Sequence, residues 1–230
     1  MHSTVTRLLV GGFELPESII GAAGERVVVN AWVVRHPEAT VLVDTGIGGH
    51  LPEEDLREMR FLRTPITDAL ATLDMSPADV DLVINCHLHV DHAGGNAAFR
   101  GTPILVQPQE LDAARGDDYT IAEDIDLAHG SYEVREGEHE PLPGIRVLPT
   151  PGHSPGHQSV AIDTDAGRLI LAGQVYRSAS DFVRALTAYR LTLDGFEDPP
   201  PWPAWMPRFL ELEPYRVAFG HDLAVWQPDA

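Results

Sequence analysis

Apolar runs broken by turn-forming clusters divide this chain into short strands with helices between them. Residues 27–34 (Val-Val-Val-Asn-Ala-Trp-Val-Val) are almost continuously apolar, His36-Pro37-Glu38 is a turn, and residues 40–43 (Thr-Val-Leu-Val) resume the apolar pattern. A strand, a turn and a second strand are therefore expected, with Asp44-Thr45-Gly46 ending the hairpin. Residues 53–63 are charged and read as helical, and within 65–73 the apolar residues Ile66, Ala69, Leu70 and Leu73 recur at helical spacing. Ser76 before Pro77 has the form of an N-cap with proline at the first helical position. Residues 80–84 make a short apolar strand. Further strands are predicted at 103–106, 145–148, 159–162 and 169–171, a helix at 179–189 and a last strand at 217–219. Five prolines between 198 and 207 forbid a regular helix or central strand there, so a stiff surface loop is expected. Trp202, Trp205 and Met206 in that loop either wall an apolar substrate pocket or pin the loop to the core.

Composition narrows the class. At 230 residues and 43% hydrophobic, the chain can bury a core without disulfides, and one domain over 1–230 is the plain expectation. A formal charge of −19 repels a phosphate backbone, which argues against nucleic acid as a partner. Neutral small molecules escape that repulsion, and bound divalent cations would reverse it locally. The single cysteine, Cys86, cannot form an intramolecular disulfide, the first residues open no charged-then-apolar leader, and no apolar run reaches membrane-spanning length. These features predict a cytoplasmic protein without a membrane partner.

The chemistry concentrates in Cys86-His87-Leu88-His89-Val90-Asp91-His92, directly after the strand at 80–84. Three imidazoles and a carboxylate at this density are costly to hold together unless a cation compensates, because each presents a lone pair toward one point. In an extended chain His87, His89 and Asp91 project to one side, a turn at Asp91-His92 swings His92 round, and Leu88 and Val90 face the interior. Cys86 reads as a buried small apolar residue, with a thiol ligand or nucleophile as the alternative. Thr150-Pro151-Gly152-His153-Ser154-Pro155-Gly156-His157 and Phe219-Gly220-His221-Asp222 supply further histidines from loops after strands. The implied site is a rim of loops at strand ends. Gly152-His153-Ser154-Pro155-Gly156 also fits the Gly-x-Ser-x-Gly nucleophile elbow, but Pro155 has no N–H for an oxyanion hole, so Ser154 is rejected as a nucleophile. His2, His36, His50, His129 and His139 lie outside any cluster and read as surface residues.

With these motifs the chain resembles the metallo-β-lactamase superfamily, whose His-x-His-x-Asp-His signature is matched by His87 to His92 and whose further positions are matched by Asp44, His153 and His221. The resemblance implies an αββα sandwich binding one or two metals in a groove between two sheets. Within the superfamily the resemblance is strongest to the quorum-quenching N-acyl homoserine lactone lactonases, through His92-Ala93-Gly94-Gly95-Asn96, Thr150 to Ser159 and Phe219 to Asp222.

Carried over residue by residue, the family pattern makes His87, His89 and His153 ligands of one metal and Asp91, His92 and His221 ligands of the other. Zinc is the default ion, and the same donors suit iron, manganese or cobalt. Asp44 would fix the tautomer of a ligand imidazole, and His157 either supports the site or simply packs. Gln174, 21 positions after His153 and 47 before His221, stands where the family usually has a bridging aspartate. A neutral amide brings no charge, which predicts a weaker second metal, a mononuclear enzyme, or an inactivated form. Tyr176 lies two residues after Gln174, where the lactonases carry a tyrosine three residues after their aspartate. Its hydroxyl would reach a substrate carbonyl, or it is an ordinary buried tyrosine.

The expected reaction is hydrolysis of a lactone, ester or thioester by a hydroxide generated on the metal, with Asp91 relaying a proton. The substrate is expected to be a small molecule with an apolar acyl portion. The rival is a degenerate homologue that binds metal and ligand without turnover, and Gln174 is the feature that favours it. RNA cleavage and β-lactam hydrolysis fit less well, the first because of the acidic balance and the second because of the expected location.

Overall fold

Two mixed sheets take up the strands in chain order. The computed structural model describes residues 2–16, 24–116 and 119–228. The first sheet holds β1 (Thr4–Glu14), β2 (Arg26–Arg35), β3 (Thr40–Val43), β4 (Leu62–Arg63), β5 (Leu82–Ile84), β6 (Ile104–Val106) and β7 (Tyr132–Val134) in the order β4-β1-β2-β3-β5-β6-β7. The second holds β8 (His139–Leu142), β9 (Ile145–Pro149), β10 (Gln158–Thr164), β11 (Gly167–Leu171), β12 (Arg216–Ala218) and β13 (Val225–Trp226) in the order β13-β12-β11-β10-β9-β8. The helices are α1 (Glu53–Glu58), α2 (Ile66–Ala71), α3 (Val90–Ala93), α4 (Pro108–Ala113), α5 (Ala179–Leu193) and α6 (Met206–Glu211).

Strand parity sorts the apolar residues into three layers. Trp32, Val34, Val41, Val43 and Ile84 of the first sheet meet Val147, Val160, Ile162 and Leu171 of the second. The opposite parity of the first sheet (Val29, Ala31, Val33, Leu42) packs under α2 through Ile66, Ala69 and Leu70. On the far side, Ala161 and Ile170 pack under α5 and α6 through Phe182, Leu186, Met206 and Phe209. The result is the αββα sandwich. Its central strands are covered on both faces, which is why residues 27–34 are apolar without alternation.

The β2–β3 hairpin forms antiparallel as expected. Several boundaries differ. Residues 53–63 are not one helix: α1 stops at Glu58, the chain turns through Arg60 at φ 48°, and Leu62–Arg63 pair with Gly11 and Gly12 as an edge strand. Ser76 and Asp79 form a capping box, but on a single 3-10 turn over Pro77–Asp79 rather than an α-helix. β12 is not the last strand, since β13 returns antiparallel to it. β1 is the longest strand and was not read from the pattern. Its Leu8-Leu9-Val10 and Gly11-Gly12 steps break the alternation at a bulge between Leu9 and Gly11, and long-range pairing with β2 fixes it. Among the described residues no helix is long and apolar enough to cross a membrane.

Candidate metal centre

Five loops leave carboxyl ends of strands at one edge of the sandwich. Asp44 follows β3, His87 to His92 follow β5, His153 follows β9, Gln174 follows β11 and His221 follows β12. The chain does not stay extended through the first cluster: α3 begins at Val90, so Asp91 and His92 lie in one helical turn, with the His92 N–H donating to His89 O at 3.0 Å. Leu88 is buried as expected, whereas Val90 is only half-buried.

The six expected donors come together as two triads. His87 Nε2, His89 Nδ1 and His153 Nε2 lie 3.0, 3.1 and 3.2 Å from one another. His92 Nε2 lies 3.1 Å from His221 Nε2, and Asp91 Oδ2 is 3.8 Å from the first and 3.3 Å from the second. His87, Asp91 and His92 also offer atoms within 4.8 Å of one another, so the triads share a floor. Tetrahedral zinc with bonds of about 2.0–2.1 Å to imidazole sets neighbouring ligand atoms roughly 3.3 Å apart, an edge that both triads approximate.

The tautomers point the same way. His221 Nδ1 lies 2.7 Å from the carbonyl oxygen of Val28, which can only accept, so Nδ1 donates and Nε2 presents a lone pair. His92 Nδ1 donates to Asp44 Oδ2 at 2.8 Å. His92 Nε2, facing His221, therefore carries an extra proton or shares a cation. Burial opposes charge on His92, but the carboxylates of Asp91 and Asp44 and hydrogen bonds with Asp44 and Gln174 outweigh it and push its pKa up to about 9. Burial and the neighbouring imidazoles instead push His87 well down, and desolvation of its inner face with the crowding of His89 and His92 pushes His153 down to about 3, although its outer face is exposed. Burial alone would raise Asp91, yet His92, His221 and His89 hold its carboxyl well below the usual carboxylate range. One triad offers neutral lone pairs, and the other is built around negative charge.

Asp44 sits at φ 61°, a left-handed turn that aspartate tolerates, and this brings its carboxylate beneath β5. Oδ1 accepts from the Cys86 N–H at 2.8 Å while Oδ2 holds His92. The Cys86 thiol belongs to the core between the sheets and stands in neither donor group, and burial and Asp44 push its pKa well up, which fits a buried apolar role.

Gln174 follows Gly173, whose carbonyl accepts the Gly220 N–H at 2.7 Å, so its backbone lies beside the loop that carries His221. His157 is fully buried and supports this placement: its Nδ1 donates to Thr150 Oγ1 at 2.9 Å and its Nε2 accepts the Gln174 N–H at 3.0 Å. Gly173 makes the approach possible, since at φ 56° a Cβ would lie 2.5 Å from Cys86 Cβ. A cleft of about 530 Å³ opens over His153 and Gln174, walled by Leu15, Val175, Tyr176, Pro203 and Trp205. Burial and the Asp181 charge push the Tyr176 phenol up, so at neutral pH it is a hydrogen-bond donor.

The proline-rich loop divides. Trp205 faces the cleft and donates to Pro151 O at 3.1 Å, Trp202 packs on Tyr189, and Met206 opens α6 in the core. Ser154 is buried, its Oγ donating to Glu110 Oε2 at 2.7 Å, which removes it as a nucleophile. Of the outlying histidines, His2, His50 and His129 are exposed, while His36 and His139 are half-buried.

Three residues that shape the site were not singled out in the sequence. Buried Asn30 on β2 donates to Phe219 O at 3.2 Å and Asp222 O at 3.0 Å, gripping the loop that carries His221. One asparagine inside the apolar run 27–34 was its only signal. Buried Glu110 on α4 and Tyr119, whose ring lies 4.7 Å from that of His89, had no signal beyond composition.

A paired-sheet sandwich with a three-histidine triad and an Asp-His-His triad at its strand ends defines a metal-binding α/β protein, and residues 24–221 match the metallo-beta-lactamase superfamily. The chain belongs to that superfamily, and N-acyl homoserine lactonases are among the relatives it resembles. The N-acyl homoserine lactonase AiiA of Bacillus thuringiensis subsp. kurstaki is 32% identical over 214 residues, spanning 84% of this chain and 80% of that protein. An N-acyl homoserine lactonase of Bacillus cereus is 38% identical over 151 residues, 61% of this chain and 60% of that protein. A solved structure of a B. thuringiensis AiiA variant with N-decanoyl-L-homoserine at its active site aligns with a TM-score of 0.78 at 29% identity, covering 97% of this chain and 95% of that one.

Proposed function

We propose that this protein is a metal-dependent hydrolase that opens the lactone ring of N-acyl homoserine lactones. The observation that carries this reading is the pair of donor triads, with a cleft of largely apolar wall opening at His153 of the first and at Gln174. An N-acyl homoserine lactone hydrolase has been solved with its product N-hexanoyl-L-homoserine bound at the catalytic metal centre, and that structure aligns with this chain at a TM-score of 0.74 and 28% identity. In this chain His87, His89 and His153 would hold one divalent ion and Asp91, His92 and His221 a second, zinc by default or iron, manganese or cobalt. Such ions supply Lewis acidity toward a carbonyl oxygen and acidify bound water at neutral pH.

The remaining steps fall to the chain's own groups. Asp91, anionic and beside both histidines of its triad, accepts and passes on a proton. The Tyr176 hydroxyl donates toward the substrate carbonyl, and Leu15, Val175 and Trp205 take the acyl chain. Gln174 leaves Asp91 as the only anionic donor among the seven positions, so the second ion is the weaker one.

The test is a panel of N-acyl homoserine lactones, simple esters and acyl thioesters, assayed before and after chelation and again after metal is restored. Lactone opening should lead, stop on chelation and return with metal. Turnover that survives complete metal removal would refute the reading. Two bound equivalents without turnover of any substrate would instead support the non-catalytic binder that Gln174 suggests.

A further inference from the structure

Glu110 lies outside the donor set, yet four donors converge on its carboxylate. Oε1 accepts the Leu88 N–H at 2.7 Å and the Tyr119 hydroxyl, and Oε2 accepts the Ser154 hydroxyl at 2.7 Å and the Gly156 N–H at 3.1 Å. Leu88 lies between His87 and His89, and Ser154 follows His153 directly. Tyr119, held by the same carboxylate, rests its ring on His89. Three of the four grips are one residue or one ring contact away from a histidine of the first triad, and the fourth, Gly156, is three residues beyond His153 in the same loop.

His153 is 64 positions from His89 in sequence, so only tertiary contacts set the separation of their loops. The Glu110 carboxylate spans them. The packing leaves no slack: a Cβ on Gly156 would lie 2.2 Å from Glu110 N, so the first turn of α4 sits flush on the His153 loop. The second triad is held by other means. Asp44 and Val28 O orient its imidazoles, Asn30 grips the His221 loop, and the Thr45 and Gly48 N–H groups pin the carbonyls of His92 and Val90 at 2.7 and 3.0 Å.

We propose that Glu110 is the positioning residue of the His87, His89 and His153 triad: it fixes the separation of the two loops that bring these imidazoles together, and so sets how tightly that triad holds a cation. This rests on the reading that the triad is a metal site. Hydrogen-bonded partners behind metal ligands typically change affinity by roughly 10–100-fold, and that is the size expected for Glu110→Gln. Tyr119→Phe and Ser154→Ala each remove one donor and leave the carboxylate, so each should weaken binding by less.

The experiment titrates metal-free protein with Zn²⁺ against a chromophoric chelator in two backgrounds: His221→Ala, which spares the first triad, and His153→Ala, which spares the second. Glu110→Gln should weaken Zn²⁺ binding in the His221→Ala background and leave it unchanged in the His153→Ala background. Tyr119→Phe and Ser154→Ala should show the same selectivity to a smaller degree, and they carry the test if Glu110→Gln does not fold. Equal losses in both backgrounds, or no loss in the first, would overturn the proposal. Failure of the parent His221→Ala protein to bind Zn²⁺ would instead refute the metal-site reading itself.

Discussion

The two triads solve one problem by different means. The first gathers three imidazoles, His87 buried, His89 half-buried and His153 exposed, whose crowding disfavours charge on them, so it relies on geometry and is braced from behind by Glu110. The second sets Asp91 and Asp44 around His92 and draws positive charge before any metal arrives. A geometric site loses its ion when a ligand moves. A charged site loses it when a carboxylate is neutralised.

The largest expected effect is on the geometric side. His89→Ala leaves two imidazoles that no longer enclose an ion, and we expect at least one metal equivalent to disappear and hydrolysis to fall by on the order of 10³-fold or more. Unchanged metal content by elemental analysis would show the ligand assignment to be wrong.

Asp44→Asn probes the charged side. Removing the negative partner of His92 should weaken the second ion by roughly 10–100-fold while the first triad keeps its affinity. Calorimetric titration resolves the two equivalents, and equal weakening of both would erase the distinction between the triads.

Gln174→Asp should act in the opposite sense on the same triad. A carboxylate beside His92 adds negative charge next to the bound ion, and a gain of about tenfold in its affinity corresponds to about 1.4 kcal/mol. If an empty second site limits the wild type, the two proteins converge in activity as metal is added. An unchanged second affinity would place Gln174 outside the coordination sphere.

The smallest effect on activity is expected from Ser154→Ala, which removes one hydrogen bond to a buried carboxylate. About 1–3 kcal/mol of stability should be lost in chemical denaturation, with activity at saturating metal nearly intact. A thousandfold loss of turnover with metal still bound would restore Ser154 as a nucleophile.

The sequence by itself marked out the candidate donors and the apolar strands of the layers. His87, His89, Asp91 and His92 were legible as candidates because imidazoles at such density have few uses other than metal binding, His153 and His221 through the superfamily pattern, and the apolar runs of β2, β3 and β10 because strands covered on both faces must be apolar. Tertiary structure decided the rest. β1 took its place through pairing with β2 despite a broken alternation, α3 wound Asp91 and His92 into one turn, and His157 became the support of Gln174. Asn30 and Glu110 had no legible role because a buried polar group acquires its meaning from partners distant in sequence: Phe219 and Asp222 for one, Leu88, Ser154 and Gly156 for the other. Local pattern fixes what a residue can donate or bury, and only the folded chain fixes what it faces.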